Sequence, residues 1–279
     1  MSGATPVARF AAVCLLLIGL PVIAEEAAAP EDPNAAVWQA ASAAMLHGPQ
    51  TIALLDQGKM QLPEGYGFVP HAQAERVMEA MGNQTGPSFL GLIFPLSDAG
   101  WFVTVDFEDS GYIKDDEARD WDADGLLENL KEGTEEGNKH RIKVGVPPIK
   151  VTRWIEPPAY DTTVHQLVWS AELRLRDGED PDPGVNYNTY VLGREGYISL
   201  DLVTAVSSVE SEKPAARELL AAVSFNDGKR YSDFNESTDK VAAYGIAALV
   251  GGVMAKKLGL LAVIAAFFAK FAKVILIGV

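Results

Sequence analysis

The sequence predicts an α+β fold, an antiparallel sheet packed with helices, followed by C-terminal transmembrane helices. Three observations predict it. Residues 165–176 alternate without a break: His165, Leu167, Trp169, Ala171, Leu173 and Leu175 face one way and mostly polar residues the other. That period of two is the signature of a strand. Several similar runs are joined by short glycine-bearing turns and interrupted by a few helical patterns, the arrangement of an α+β domain. Finally, residues 241–279 are apolar and contain four lysines but no acid.

The 279 residues divide by charge. The whole chain carries 23 Lys+Arg against 38 Asp+Glu, a net of −15, but residues 25–240 hold all the acids and 18 of the bases, a net of −20. Such an anionic body excludes nucleic acid as a partner, because phosphates need a basic footprint. The 48% hydrophobic and 22% charged content is that of a globular protein and excludes a disordered or collagen-like chain.

Residues 1–24 read as a signal peptide. Arg9 provides the positive start, an apolar run follows over 10–23, and Val22-Ile23-Ala24 supplies a cleavage signal before Glu25. The run is shorter than the roughly 20 residues a membrane span needs. The one cysteine, Cys14, lies inside it, so the mature chain would have no disulfide and no thiol chemistry.

Residues 25–48 form an acidic Ala/Pro linker and a short helix over 34–46, which Gly48-Pro49 ends. The exported domain spans 49–236. Runs at 51–55 and 59–62 flank Asp56-Gln57-Gly58 as a hairpin, and 66–69 continues extended. Residues 71–81 are helical, with Ala74, Val77, Met78 and Met81 on one side. Runs at 89–94 and 101–107 make a second hairpin, and 122–140 is a polar helix interrupted by Gly133 and Gly137. Strands at 149–156, 165–176, 185–192 and 197–203 form a four-stranded meander, its last turn being Gly193-Arg194-Glu195-Gly196. A helix over 212–223 takes Pro214 in its first turn.

Residues 237–279 are the membrane tail. Two apolar stretches, 241–255 and 258–279, are separated by Lys256 and Lys257. The favoured layout is a helical hairpin with the lysine pair at the cytoplasmic interface. In the other layout the second stretch lies along the inner surface. Ala243, Ala247, Gly251 and Ala255 recur every four residues, a spacing that lets helices touch closely in lipid, although small residues are also simply common there. Self-association through the tail is one consequence.

No cofactor is implied, and no local pattern supplies catalysis. The histidines His47, His71, His140 and His165 show no metal spacing, and His165 falls on the inward face of its strand. Asp120-x-Asp122-x-Asp124-Gly125 opens like a calcium loop, but the closing position is Lys131; the competing reading is a cap on the following helix. Asn186, Asn188 and Tyr190 share one strand face and either bind glycan or peptide or simply face water.

The blocks at 62–69, 111–116, 130–136, 185–190, 193–198 and 237–245 resemble those of a bacterial family of uncharacterised membrane-anchored proteins, from about residue 36 to the C-terminus. The resemblance implies an exported domain with a membrane tail and no activity. The expected function is therefore a membrane-anchored envelope protein of the bacterial inner membrane. Its main domain lies in the periplasm as a non-catalytic module binding lipid through its tail and an envelope protein or wall component through its body. The alternatives are a periplasmic hydrolase using His71, His140 or His165 with Asp115 and Asp116, and a membrane oligomer with Lys270 and Lys273 lining a polar path.

Overall fold

A computed structural model describes residues 34–251. Alternating side chains build a sheet of eight strands, all antiparallel. They are β1 (Leu46–His47), β4 (Tyr66–Pro70), β5 (Phe89–Pro95), β6 (Phe102–Glu108), β10 (Tyr197–Ala205), β9 (Gly184–Leu192), β8 (Gln166–Leu175) and β7 (Ile149–Asp161), in that spatial order. A smaller sheet pairs β2 (Gln50–Leu54) with β3 (Gly58–Leu62) and β11 (Val223–Phe225). The helices are α1 (Ala35–Ala44), α2 (His71–Ala80), α3 (Ala123–Lys143), α4 (Val209–Ala221) and the four-residue α5 (Ala248–Gly251).

The β7–β10 meander follows the predicted order, with β9 paired to both β8 and β10. β7 is longer than expected and shifts register three times along its pairing with β8. It is the edge strand, where Pro157 and Pro158 cost no ladder bond. α3 runs unbroken through Gly133 and Gly137. α4 begins at Val209 rather than 212, because Val209 itself is buried and anchors the extra turn.

Each face of the large sheet has its own cover. Val103 and Val105 of β6, Leu200 and Leu202 of β10 and Tyr187 of β9 pack against α4 and the small sheet. On the opposite face, α1 and α2 cover Leu92, Phe102 and Val203, while α3 covers Leu167, Trp169 and Ala171. Between those two clusters, strand register brings Thr104, Asp106, Ser199, Asp201 and Asn188 side by side, none more than 5% exposed.

The expected C-terminal transmembrane helices require correction. Among the described residues no helix is long and apolar enough to cross a membrane. The first apolar stretch does a different job as far as Gly251. Val241 bridges Tyr112, the Ala242 N–H donates to the Tyr112 carbonyl at 2.8 Å, and the Ile246 N–H donates to the Lys114 carbonyl at 3.0 Å. Ile246 and Val250 are then almost fully buried beside β8 and α3. An apolar run satisfies a sheet face as well as it satisfies lipid, and its composition does not distinguish the two. Ala243, Ala247 and Gly251 share no helix, since only Gly251 of the three belongs to α5. Ala255, Lys256, Lys257, Lys270, Lys273 and the expected signal peptide at 1–24 lie outside the described residues.

Candidate functional site

Three segments distant in sequence meet at one corner of the large sheet. The first leaves β6 as Gly111-Tyr112-Ile113-Lys114-Asp115. Gly111 adopts φ +90°, and a Cβ there would lie 2.7 Å from the Lys240 carbonyl oxygen, so only glycine lets this segment run alongside 240–242. Ile113 is fully buried and fixes the segment. The second is the connection from β7 to β8, which begins with the Thr163 N–H donating to Asp161 Oδ1 at 2.7 Å and ends at His165. The third is the short 3₁₀ turn Tyr231–Asp233 with Phe234 behind it. Tyr231 holds it in place, donating its phenol proton to the Ile113 carbonyl at 2.8 Å.

His165 sits at φ +53°, a left-handed conformation that a residue with a Cβ adopts at a cost. Its carbonyl accepts the Leu192 N–H at 2.9 Å, which locks the conformation. The imidazole is held as well. Tyr160 Oη lies 2.7 Å from Asp115 Oδ2 and 3.1 Å from His165 Nδ1. An ionised carboxylate only accepts, so the phenol donates to Asp115 and its oxygen is left to accept from Nδ1–H. Nδ1 is thereby occupied and Nε2 is the nitrogen turned to other partners. Asp115 Oδ2 is 3.7 Å from Nδ1.

The rings form a column. Phe234 stacks on Tyr112 with centroids 3.8 Å apart, Tyr112 on Tyr231 at 4.4 Å, and Tyr231 faces His165 at 4.1 Å. Burial, with Asp115 as acceptor, pushes the Tyr160 phenol well above its ordinary range. Burial, then the Tyr112 hydroxyl, does the same to Tyr231. Both phenols therefore stay protonated and act as donors. The side chains of His165 and Asp115 remain 28% and 25% exposed, and two apolar residues, Val164 next to His165 and Val241 bridged to Tyr112, are 49% and 40% exposed.

The other expected residues are placed differently. Asp120, Asp122 and Asp124 are all exposed, and Asp122 Oδ1 accepts the Asp124 N–H at 3.1 Å as the N-cap of α3. Among the described residues no group of three or more His, Cys, Asp or Glu side chains is arranged to hold a metal ion. Asn186, Asn188 and Tyr190 do share a face, but it is an interior one: they are 9%, 1% and 3% exposed, and Asn188 Nδ2 donates to the Asn186 carbonyl at 2.9 Å. His71 Nδ1 bonds with the Phe89 carbonyl, while His47 and His140 are on the surface. Only His165 and Asp115, of the suggested histidine–carboxylate combinations, come together. Tyr112, Tyr160, Tyr231 and Phe234 carry no local pattern that marks them. An open groove along α3 also has charged walls, but its ions neutralise one another, as in Lys131–Glu128 at 2.8 Å and Arg176–Glu135 at 3.7 Å.

Fold and corner together define an antiparallel-sheet α+β domain with a carboxylate–phenol–imidazole cluster at one end. The chain belongs to the family described as protein of unknown function (DUF2167), whose model matches residues 47–279. No curated protein matches it. Among solved structures it is similar to cyanobacterial PsbP (CyanoP) from Synechocystis sp. PCC 6803, at 13% identity and a TM-score of 0.39, covering 66% of this chain and 94% of that one. It is also similar to the Ran-binding protein Mog1p of Saccharomyces cerevisiae, at 9% identity and a TM-score of 0.36, covering 67% of this chain and 98% of that one. Neither likeness extends to a site or an activity.

Proposed function

We propose that the chain is an exported, non-catalytic binding module of the cell envelope whose recognition surface is the His165 corner. The observation that carries this reading is a partly exposed imidazole kept in a left-handed backbone conformation and oriented through Tyr160 by Asp115. Strain of that kind persists where the surroundings over-determine it, and it concentrates at functional sites. Export is supported by the Arg9-plus-apolar opening. A photo-crosslinking amino acid at Val164 captures the partner in living cells. The same group at Ser211, on the exposed side of α4, does not. His165→Asn abolishes the Val164 product at unchanged melting temperature. Equal capture from both positions overturns the reading, and a reporter fused at residue 240 that is active only in the cytoplasm overturns export.

A hydrolase is the second reading, favoured by the proximity of His165 and Asp115. An imidazole oriented by a third group is the arrangement of a general base. Turnover of peptide or ester substrates that vanishes in His165→Gln would establish it in place of the binding module.

A further inference from the structure

We propose that the His165 corner receives the guanidinium of an arginine presented by a partner protein. This inference rests on the reading of the corner as a recognition surface and names its ligand class.

Three properties of the corner select that group. The first is charge. Asp115 lies 3.7 Å from the imidazole and Asp161 also acts on it, Asp116 follows in the same segment, and the body of the protein from 25 to 240 carries a net −20, so a cation is drawn in from a distance. The nearby bases Lys114 and Arg119 are both exposed and offset only part of this charge. The second is the pattern of acceptors. Tyr160 and His165 engage Asp115 through Oδ2, so Oδ1 remains for a donor; Nε2 of a neutral His165 is a second acceptor in the same cluster. A guanidinium carries five N–H donors in a plane and can serve both, whereas an ammonium is a point charge. The third is shape. His165 is the end ring of the column Phe234–Tyr112–Tyr231–His165 and is 28% exposed beside Asp115, and a planar cation packs well against an aromatic ring. Val164 and Val241 provide apolar contact for the chain that delivers the arginine.

Isothermal titration of the full chain with three capped peptides tests this. They are otherwise identical glycine-rich sequences bearing two arginines, two lysines or two glutamates. The arginine peptide binds, the lysine peptide binds about fivefold more weakly, since an ammonium lacks the planar fork that stacks and donates twice, and the glutamate peptide does not bind. Raising the salt to 0.5 M (about 4 Å screening) weakens the arginine peptide several-fold. Asp115→Asn weakens it at least about tenfold. His165→Asn, which keeps a residue tolerant of the left-handed conformation, weakens it several-fold and serves if Asp115→Asn melts early. Arginine binding unchanged in both variants, or glutamate binding the more tightly, overturns the ligand class. If Val164 still crosslinks a partner while the arginine peptide fails to bind, the guanidinium proposal falls alone. If Val164 captures nothing, the recognition surface falls with it.

Discussion

Trp169 Nε1 donates a hydrogen bond to the Leu249 carbonyl at 3.1 Å, joining β8 to the segment that ends in α5 across 80 residues. With Ile246 fully buried and Leu249 and Val250 in the same cluster, that bond ties residues 246–250 into the core. Ile246→Ala should therefore cost about 2–4 kcal/mol in a denaturant titration, the price of a buried isoleucine with its cavity. Trp169→Phe should cost roughly 1 kcal/mol more than the volume change explains, for the lost donor. Unchanged denaturation midpoints for both variants would contradict this packing.

Asp122 acts as a cap. Asp122→Ala is expected to lower stability by about 1 kcal/mol, while Asp122→Asn, an equally good cap, should be nearly neutral. A role in holding a cation predicts the opposite for Asn, which loses the charge. Thermal melts of the two variants with and without millimolar calcium separate these cases.

Arg194 grips Asp239 with two parallel bonds, Nε to Oδ2 at 2.6 Å and Nη2 to Oδ1 at 2.8 Å, so the β9–β10 turn holds the approach to Val241. Arg194, helped by the Asn235 N–H, keeps the Asp239 carboxyl well below its ordinary value of 3.8. A carboxylate depressed in the folded state stabilises the protein above its unfolded value and loses that contribution as pH falls through the folded one. The wild type should therefore lose stability below pH 4 more steeply than Asp239→Asn, and exceed it above pH 5. Parallel curves of melting temperature against pH would rule this out.

Gly196 closes the same turn. A Cβ added there would lie 1.8 Å from the Glu108 carbonyl oxygen. Because backbone must move to admit it, Gly196→Ala should destabilise by about 1–3 kcal/mol. Gly100→Ala, at a position with open space and no left-handed φ, should not. Circular dichroism melts of the pair check the contrast.

Much of the fold was legible because strands and tight turns write themselves locally. The alternation from Leu167 to Leu173 and the Gly193–Gly196 turn needed no knowledge of the rest of the chain. The site was less legible. Asp115 and His165 were both visible as polar residues of interest, but their connection runs through Tyr160, an unremarked residue on a bulged edge strand. Alternation makes His165 an inward strand residue; it instead ends the preceding turn, and its positive φ takes it out of the alternation. Alternation puts Asn186, Asn188 and Tyr190 on one strand face, and in the structure that face is interior. That both sides of β9 are buried depends on what lies across them, which alternation does not encode.

The order of side chains along the chain determined the period of each strand, the start of α3 at an aspartate cap and the anionic character of the body, since each follows from neighbouring residues alone. Where the apolar stretch after Val241 goes, and which rings stack beside His165, was decided in three dimensions. Hydrophobic free energy is non-directional, and an apolar segment takes whichever surface the rest of the fold presents to it.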